Sequence, residues 1–63
     1  MDFVYVLLLG EWEDMTILLS EEDAINASKH YPNDRVEIFS KNNKLGYTPT
    51  YNYYKSGELI GHV

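Results

Sequence analysis

Ten carboxylates, two histidines and six tyrosines are the side chains of this 63-residue sequence that could carry chemistry. Six of the acids fall in two tight runs, Glu11, Glu13 and Asp14 and then Glu21, Glu22 and Asp23. Carboxylates gathered this closely suit a hard divalent cation or, as a facing pair, acid–base catalysis. The segment between the runs reads as a strand of about five residues at ~3.3 Å each, which sets the two clusters ~15–20 Å apart at its opposite ends. They cannot converge on one metal or one reacting centre. His30 and His62 are too few and too far apart in sequence to suggest a metal cage. A Gly-rich phosphate loop, a supported Ser-His-Asp set and a redox motif are all missing from the sequence. The expectation is a protein that is not an enzyme and holds no cofactor or metal.

The tyrosines form the more informative constellation. Four of the six lie within Gly46-Tyr47-Thr48-Pro49-Thr50-Tyr51-Asn52-Tyr53-Tyr54, and Tyr47, Tyr51 and Tyr53 share one parity. Aromatic rings in register on a sheet can stack bases, and Lys41, Lys44 and Lys55 are near in sequence. Tyrosine is also a good strand former that packs its ring and wets its hydroxyl, and it is enriched at protein contacts. With a net charge of −5, packing and protein contact rank ahead of base stacking. Tyr47, Tyr51 and Tyr53 are therefore candidate partner-binding residues. Trp12, set among three acids, has two readings: a lid folded back over the end of the core, which we expect, or an exposed anchor that joins the tyrosines in binding a partner.

The elements that must position these residues follow from hydrophobic patterning. Phe3-Val4-Tyr5-Val6-Leu7-Leu8-Leu9 is an uninterrupted apolar run. As a strand it shows Phe3, Tyr5, Leu7 and Leu9 on one face and Val4, Val6 and Leu8 on the other, so both faces ask to be covered. Gly10 to Asp14 reads as a hairpin connection and Met15 to Leu19 as the second strand. Ser20 offers an N-cap and Glu21, Glu22 and Asp23 complement the dipole of a helix running to about Tyr31, where Pro32 ends it. His30 near that end is a dipole partner more readily than a ligand. Ala24, Ile25, Ala27, Ser28 and Tyr31 give the helix a narrow face of mostly small residues, with Ile25 and Tyr31 the larger contacts.

Arg35 to Ser40 is the third strand, with Val36 and Ile38 toward the helix and Arg35, Glu37 and Phe39 on the other side. A loop to Gly46 leads into the Tyr-rich strand, where Pro49 implies an edge position or a start beyond the proline. Ser56-Gly57 makes a tight turn into a short closing strand, Glu58 to Val63. The order β-β-α-β-β-β describes one α+β domain over residues 1–63: two layers, a mainly antiparallel sheet and one helix across one face.

Size and charge bound the function. A chain this short buries only about 60% of its unfolded surface and ordinarily needs a staple. Cysteine is absent, which excludes disulfides and fits a reducing compartment. Self-association is then the economical staple, as a homodimer or a higher closed oligomer. It would cover the second face of the first strand through Val4, Val6 and Leu8, with Phe39 beside them. No secretory signal or membrane span is expected, because the apolar run lacks a basic leader and is far short of ~20 residues. Residues 1–23 carry seven of the ten acids and no Lys or Arg, which argues against duplex binding.

The phrases Gly10-Glu11-Trp12-Glu13-Asp14, Leu19-Ser20-Glu21-Glu22-Asp23-Ala24-Ile25, Ala27-Ser28-Lys29-His30-Tyr31-Pro32, Arg35-Val36-Glu37-Ile38-Phe39 and Gly46 to Tyr54 run through nearly the whole chain. In them the sequence resembles small proteins of large DNA viruses that infect amoebae, such as the marseilleviruses. The resemblance brings no site residues. It implies a viral protein without an assigned reaction, in the host cytoplasm or the virion, where a viral or host protein is a candidate partner beside the second copy that the apolar first strand calls for. Two other roles remain open: a single-strand nucleic-acid module built on the Tyr-rich hairpin, or an acidic mimic that engages a host nucleic-acid-binding protein. The mimic needs its acids along one face, whereas the pattern puts them at two ends.

Overall fold

The computed structural model describes residues 2–44 and 46–61. Five strands and one α-helix follow in the order β1 (Phe3–Leu7), a 3-10 turn (Trp12–Asp14), β2 (Thr16–Leu18), α1 (Glu21–His30), β3 (Val36–Asn42), β4 (Gly46–Lys55) and β5 (Glu58–Ile60). All pairings are antiparallel and the sheet runs β2-β1-β3-β4-β5. The α+β architecture with one helix over the sheet is as the patterning implies.

The register places β1 inside the sheet. It lies between β2 and β3, with Tyr5 opposite both Leu18 and Ile38 and Val6 opposite both Ile17 and Glu37. Since β2 and β3 both run against β1, they are parallel to each other. The segment joining them is the helical crossover, and α1 crosses over β1. The face beneath the helix is the core: Tyr5, Leu7, Val36, Ile38 and Tyr54 pack on Ala24, with Leu9, Leu18, Ile25 and Ala27 at its margin. Ala24 and Ser28, both fully buried, let the helix lie close to the strands. Tyr31 is the C-cap residue and lies exposed, so Ile25 alone is the larger contact on that helix face.

Ser20 caps α1 as expected, its Oγ accepting from the Asp23 N–H at 3.1 Å. At the other end the β4–β5 turn docks on the helix. Ser28 Oγ donates to the Ile25 carbonyl and accepts from the Gly57 N–H, both at 2.8 Å, so a buried hydroxyl satisfies a turn amide. Ser56 and Gly57 both have positive φ, 52° and 82°, the two-residue hairpin geometry whose twist matches the strands.

Several boundaries differ from the patterning. β1 ends at Leu7, two residues early, because Leu8 and Leu9 lead into the turn at Gly10, whose φ is 93°. β2 is three residues long, without Met15 or Leu19. β3 continues to Asn42, opposite Gly46, which shortens the expected loop. β4 is not an edge strand. Pro49 is accommodated because β5 pairs only with Tyr53, Tyr54 and Lys55, which leaves the Pro49 stretch of β4 paired on one side alone among the described residues. Of the closing strand, His62 and Val63 lie outside the described residues.

Candidate functional site

Strand alternation assigns a side to each candidate residue. The face away from α1 carries Val4 opposite Phe39, and a row in which Ile17, Val6, Glu37, Tyr53 and Ile60 are successive neighbours across all five strands. Among the described residues no element covers this face. Val4, Val6 and Phe39 thus come together as anticipated, half-buried by their neighbours on the sheet. Leu8 lies just past the end of β1, 42% exposed. It borders a cleft of about 440 Å³ that Arg35, Glu37 and Lys55 also line.

Besides Ile60, three apolar residues on the β2 side of this surface are absent from the sequence-derived candidates. Ile17 is 55% exposed beside Val6, and Met15 and Leu19, which flank β2 at the same parity, are exposed as well. The signal was present in the alternation Met15, Ile17, Leu19. It was masked because the neighbouring Leu18 made the whole segment look like a buried strand. The surface is therefore apolar throughout its β1 and β2 half and mixed in its β3 and β4 half.

In the mixed half, Arg35 Nε meets Glu37 Oε2 at 2.7 Å while its guanidinium lies 4.6 Å from the centre of the Tyr53 ring. Both charges are solvent-accessible, so the pair contributes little to folding but fixes the guanidinium over an aromatic plane. Tyr47 stands opposite Lys41. Tyr51 is elsewhere in character. Between the pairs Glu37–Tyr53 and Phe39–Pro49, the single residue Ile38 faces Thr50, Tyr51 and Asn52, so β4 bulges outward. Thr50 stitches the bulge: its hydroxyl donates to the Ile38 carbonyl at 2.8 Å and accepts from the Asn52 N–H at 3.1 Å. Tyr51 at its apex has φ 67°, a strained conformation for a bulky residue, and is 69% exposed. Tyr47, Tyr51 and Tyr53 therefore do not form one continuous aromatic row.

Trp12 corrects the lid expectation. It opens the 3-10 turn and is 75% exposed, so it does not close the core. The physical reason is the 3-10 turn itself: the Asp14 N–H bonds to Glu11 O and the Met15 N–H to Trp12 O, which tightens the chain into a compact turn clear of the sheet.

On the helix side, the Tyr54 hydroxyl donates to Glu21 Oε2 at 2.8 Å. Burial pushes the Tyr54 pKa up to about 12, helped by that hydrogen bond and by the Glu21 charge. Burial and the same carboxylate also raise Tyr5, whose ring lies 6.2 Å from that of Tyr54. The two acidic runs are held apart by β2, and among the described residues no group of three or more His, Asp or Glu is placed to hold a metal ion. No helix among the described residues is long and apolar enough to cross a membrane. No protein-family model, curated protein or solved structure matches the chain.

Proposed function

We propose that the chain is a non-enzymatic interaction module that pairs with a second copy of itself through the helix-free face of the sheet. The observation that carries this reading is the single-layer cover. One helix shields one face, while the other presents Val4, Val6, Ile17 and Phe39 on adjacent strands. An exposed apolar surface of this kind marks an interaction site or an aggregation hazard. The accessible surface supports the same conclusion. The chain exposes 4729 Å², whereas a compact monomer of its mass exposes about 4,200 Å². The excess of about 500 Å² is roughly two-thirds of what one partner buries in a standard interface, about 800 Å².

A second copy is the occupant the surface suits. An isologous contact requires a patch that complements itself, and here an apolar half adjoins a half bearing charges of both signs, Arg35 and Lys41 with Glu37. Two copies related by a two-fold axis can set apolar half on apolar half, with opposite charges facing across the rim. Placement of such a dimer in a virion or in infected cytoplasm rests on the sequence resemblance, and a viral or host protein would then engage the exposed Trp12 and Tyr51. Mixing isotope-labelled and unlabelled chains tests the face. Intermolecular NOEs from Val4, Val6 and Ile17 methyls are expected, and a dimer whose NOEs come only from α1 would overturn the assignment.

One observation favours a second reading. Arg35 stacked on Tyr53, and Lys41 opposite Tyr47, place cations beside rings on the β3–β4 half, the pairing used to hold single-stranded nucleic acid. Salt-sensitive quenching of tyrosine fluorescence by oligonucleotides would support it, and no binding at low salt would remove it.

A further inference from the structure

A second recess lies on the opposite side of the sheet, at the first turn of α1. It is a cleft of about 210 Å³ lined by Phe3, Tyr5, Glu21, Thr50, Tyr54 and Leu59, among others. Its chemistry is selective. Three aromatic residues border it: Phe3, well exposed, and the small accessible parts of Tyr5 and Tyr54, 8% and 5%, whose ring planes are inclined at 47° to one another. Phe3 and Leu59, both substantially exposed, leave apolar surface at the rim. Glu21 brings a full negative charge, and its carboxylate has acceptor capacity beyond the one bond it takes from Tyr54. Thr50 is already committed to the backbone of the bulge.

We propose that this cleft binds a small organic ammonium cation carrying methyl or alkyl groups. Ring faces attract a cation through their quadrupoles, apolar walls accept its alkyl shell, and the carboxylate neutralises its charge. The alternatives fit less well. An anion would meet Glu21, and a bare metal ion would find one carboxylate where it needs several oxygens. A neutral apolar ligand would strip water from the carboxylate without supplying a counter-charge. The site is separate from self-association, since Tyr5 and Tyr54 belong to the helix-covered face.

The test is an NMR titration of the full chain with choline at constant ionic strength, run beside 3,3-dimethylbutan-1-ol, its uncharged carbon analogue. Saturable shifts centred on Phe3, Tyr5 and Tyr54, with the neutral analogue bound about tenfold more weakly, are the expected result. Glu21→Gln should weaken choline binding by about tenfold while the rest of the spectrum stays in place. Equal binding of the two probes, shifts centred elsewhere, or no saturation up to about 50 mM choline would overturn the proposal. If Glu21→Gln does not reproduce the folded spectrum, the comparison of probes on the unaltered chain decides.

Discussion

Replacing Val6 by lysine separates what the helix-free face does for folding from what it does for association. Val6 lies mid-row between Ile17 and Glu37 and is only half-buried in the single chain. A lysine there can run its stem along the sheet and extend its ammonium into water, so the folding cost is about 1 kcal/mol or less. In a two-fold dimer the same position is buried twice. Because Val6 is already half-buried, dimerisation gains about half of the ~1.5 kcal/mol that full burial of a valine is worth; over both copies that is about 1.5 kcal/mol, or roughly tenfold in Kd, before the larger penalty for enclosing two ammonium groups. Sedimentation equilibrium of Val6→Lys beside Asn26→Lys, a change on the exposed side of α1, reads this out. The expectation is a dissociated Val6→Lys chain with native circular dichroism and an unperturbed Asn26→Lys control. A Val6→Lys chain that associates as tightly as the parent would refute the face assignment. One that fails to fold would show Val6 to be part of the single chain's core, which contradicts its exposure.

Other changes probe the interior. Ser28→Ala leaves the Gly57 N–H without its acceptor beneath the helix and should cost about 1–3 kcal/mol, a fall of about 5–15 °C in Tm; a fall under about 2 °C would mean that the docked turn contributes nothing. Thr50→Val keeps the shape but strips the bulge of both hydrogen bonds, and is expected to cost about 1–3 kcal/mol and to speed amide exchange at Asn52. For pH, the unfolded tyrosine releases its proton near pH 10 while folded Tyr54 keeps it to about 12. Stability should therefore be full below pH 10 and fall between pH 10 and 12, by roughly 2–3 kcal/mol in all. Urea midpoints across that range check this, and Tyr54→Phe should flatten most of the slope, leaving the smaller part due to Tyr5.

Much of this architecture is legible in the chain because alternation is a strong local signal. Val36 and Ile38 against Arg35, Glu37 and Phe39, or Phe3, Tyr5 and Leu7 against Val4 and Val6, assign faces without any knowledge of neighbours. Ser20 and the acids after it announce the helix start in the same local way. Strand order is not local. The apolar β1 demands cover, but only the register reveals that the central strand β3 lies beside it, on the side away from β2, with α1 crossing above. The β4 bulge also escapes reading, because its apex is Tyr51, where left-handed backbone ordinarily advertises itself by glycine or asparagine. Pro49 suggested an edge strand because one short partner, β5, protects only part of β4. Trp12 misleads for a related reason: a large apolar side chain implies burial, and a 3-10 turn can hold it in water.

Sedimentation velocity of the unaltered chain across a dilution series, from about 1 to 100 μM, tests self-association most directly. A species of twice the 7.3 kDa chain mass that dissociates reversibly, if at all, toward the dilute end is the expected result. A folded 7.3 kDa monomer at every concentration would contradict it.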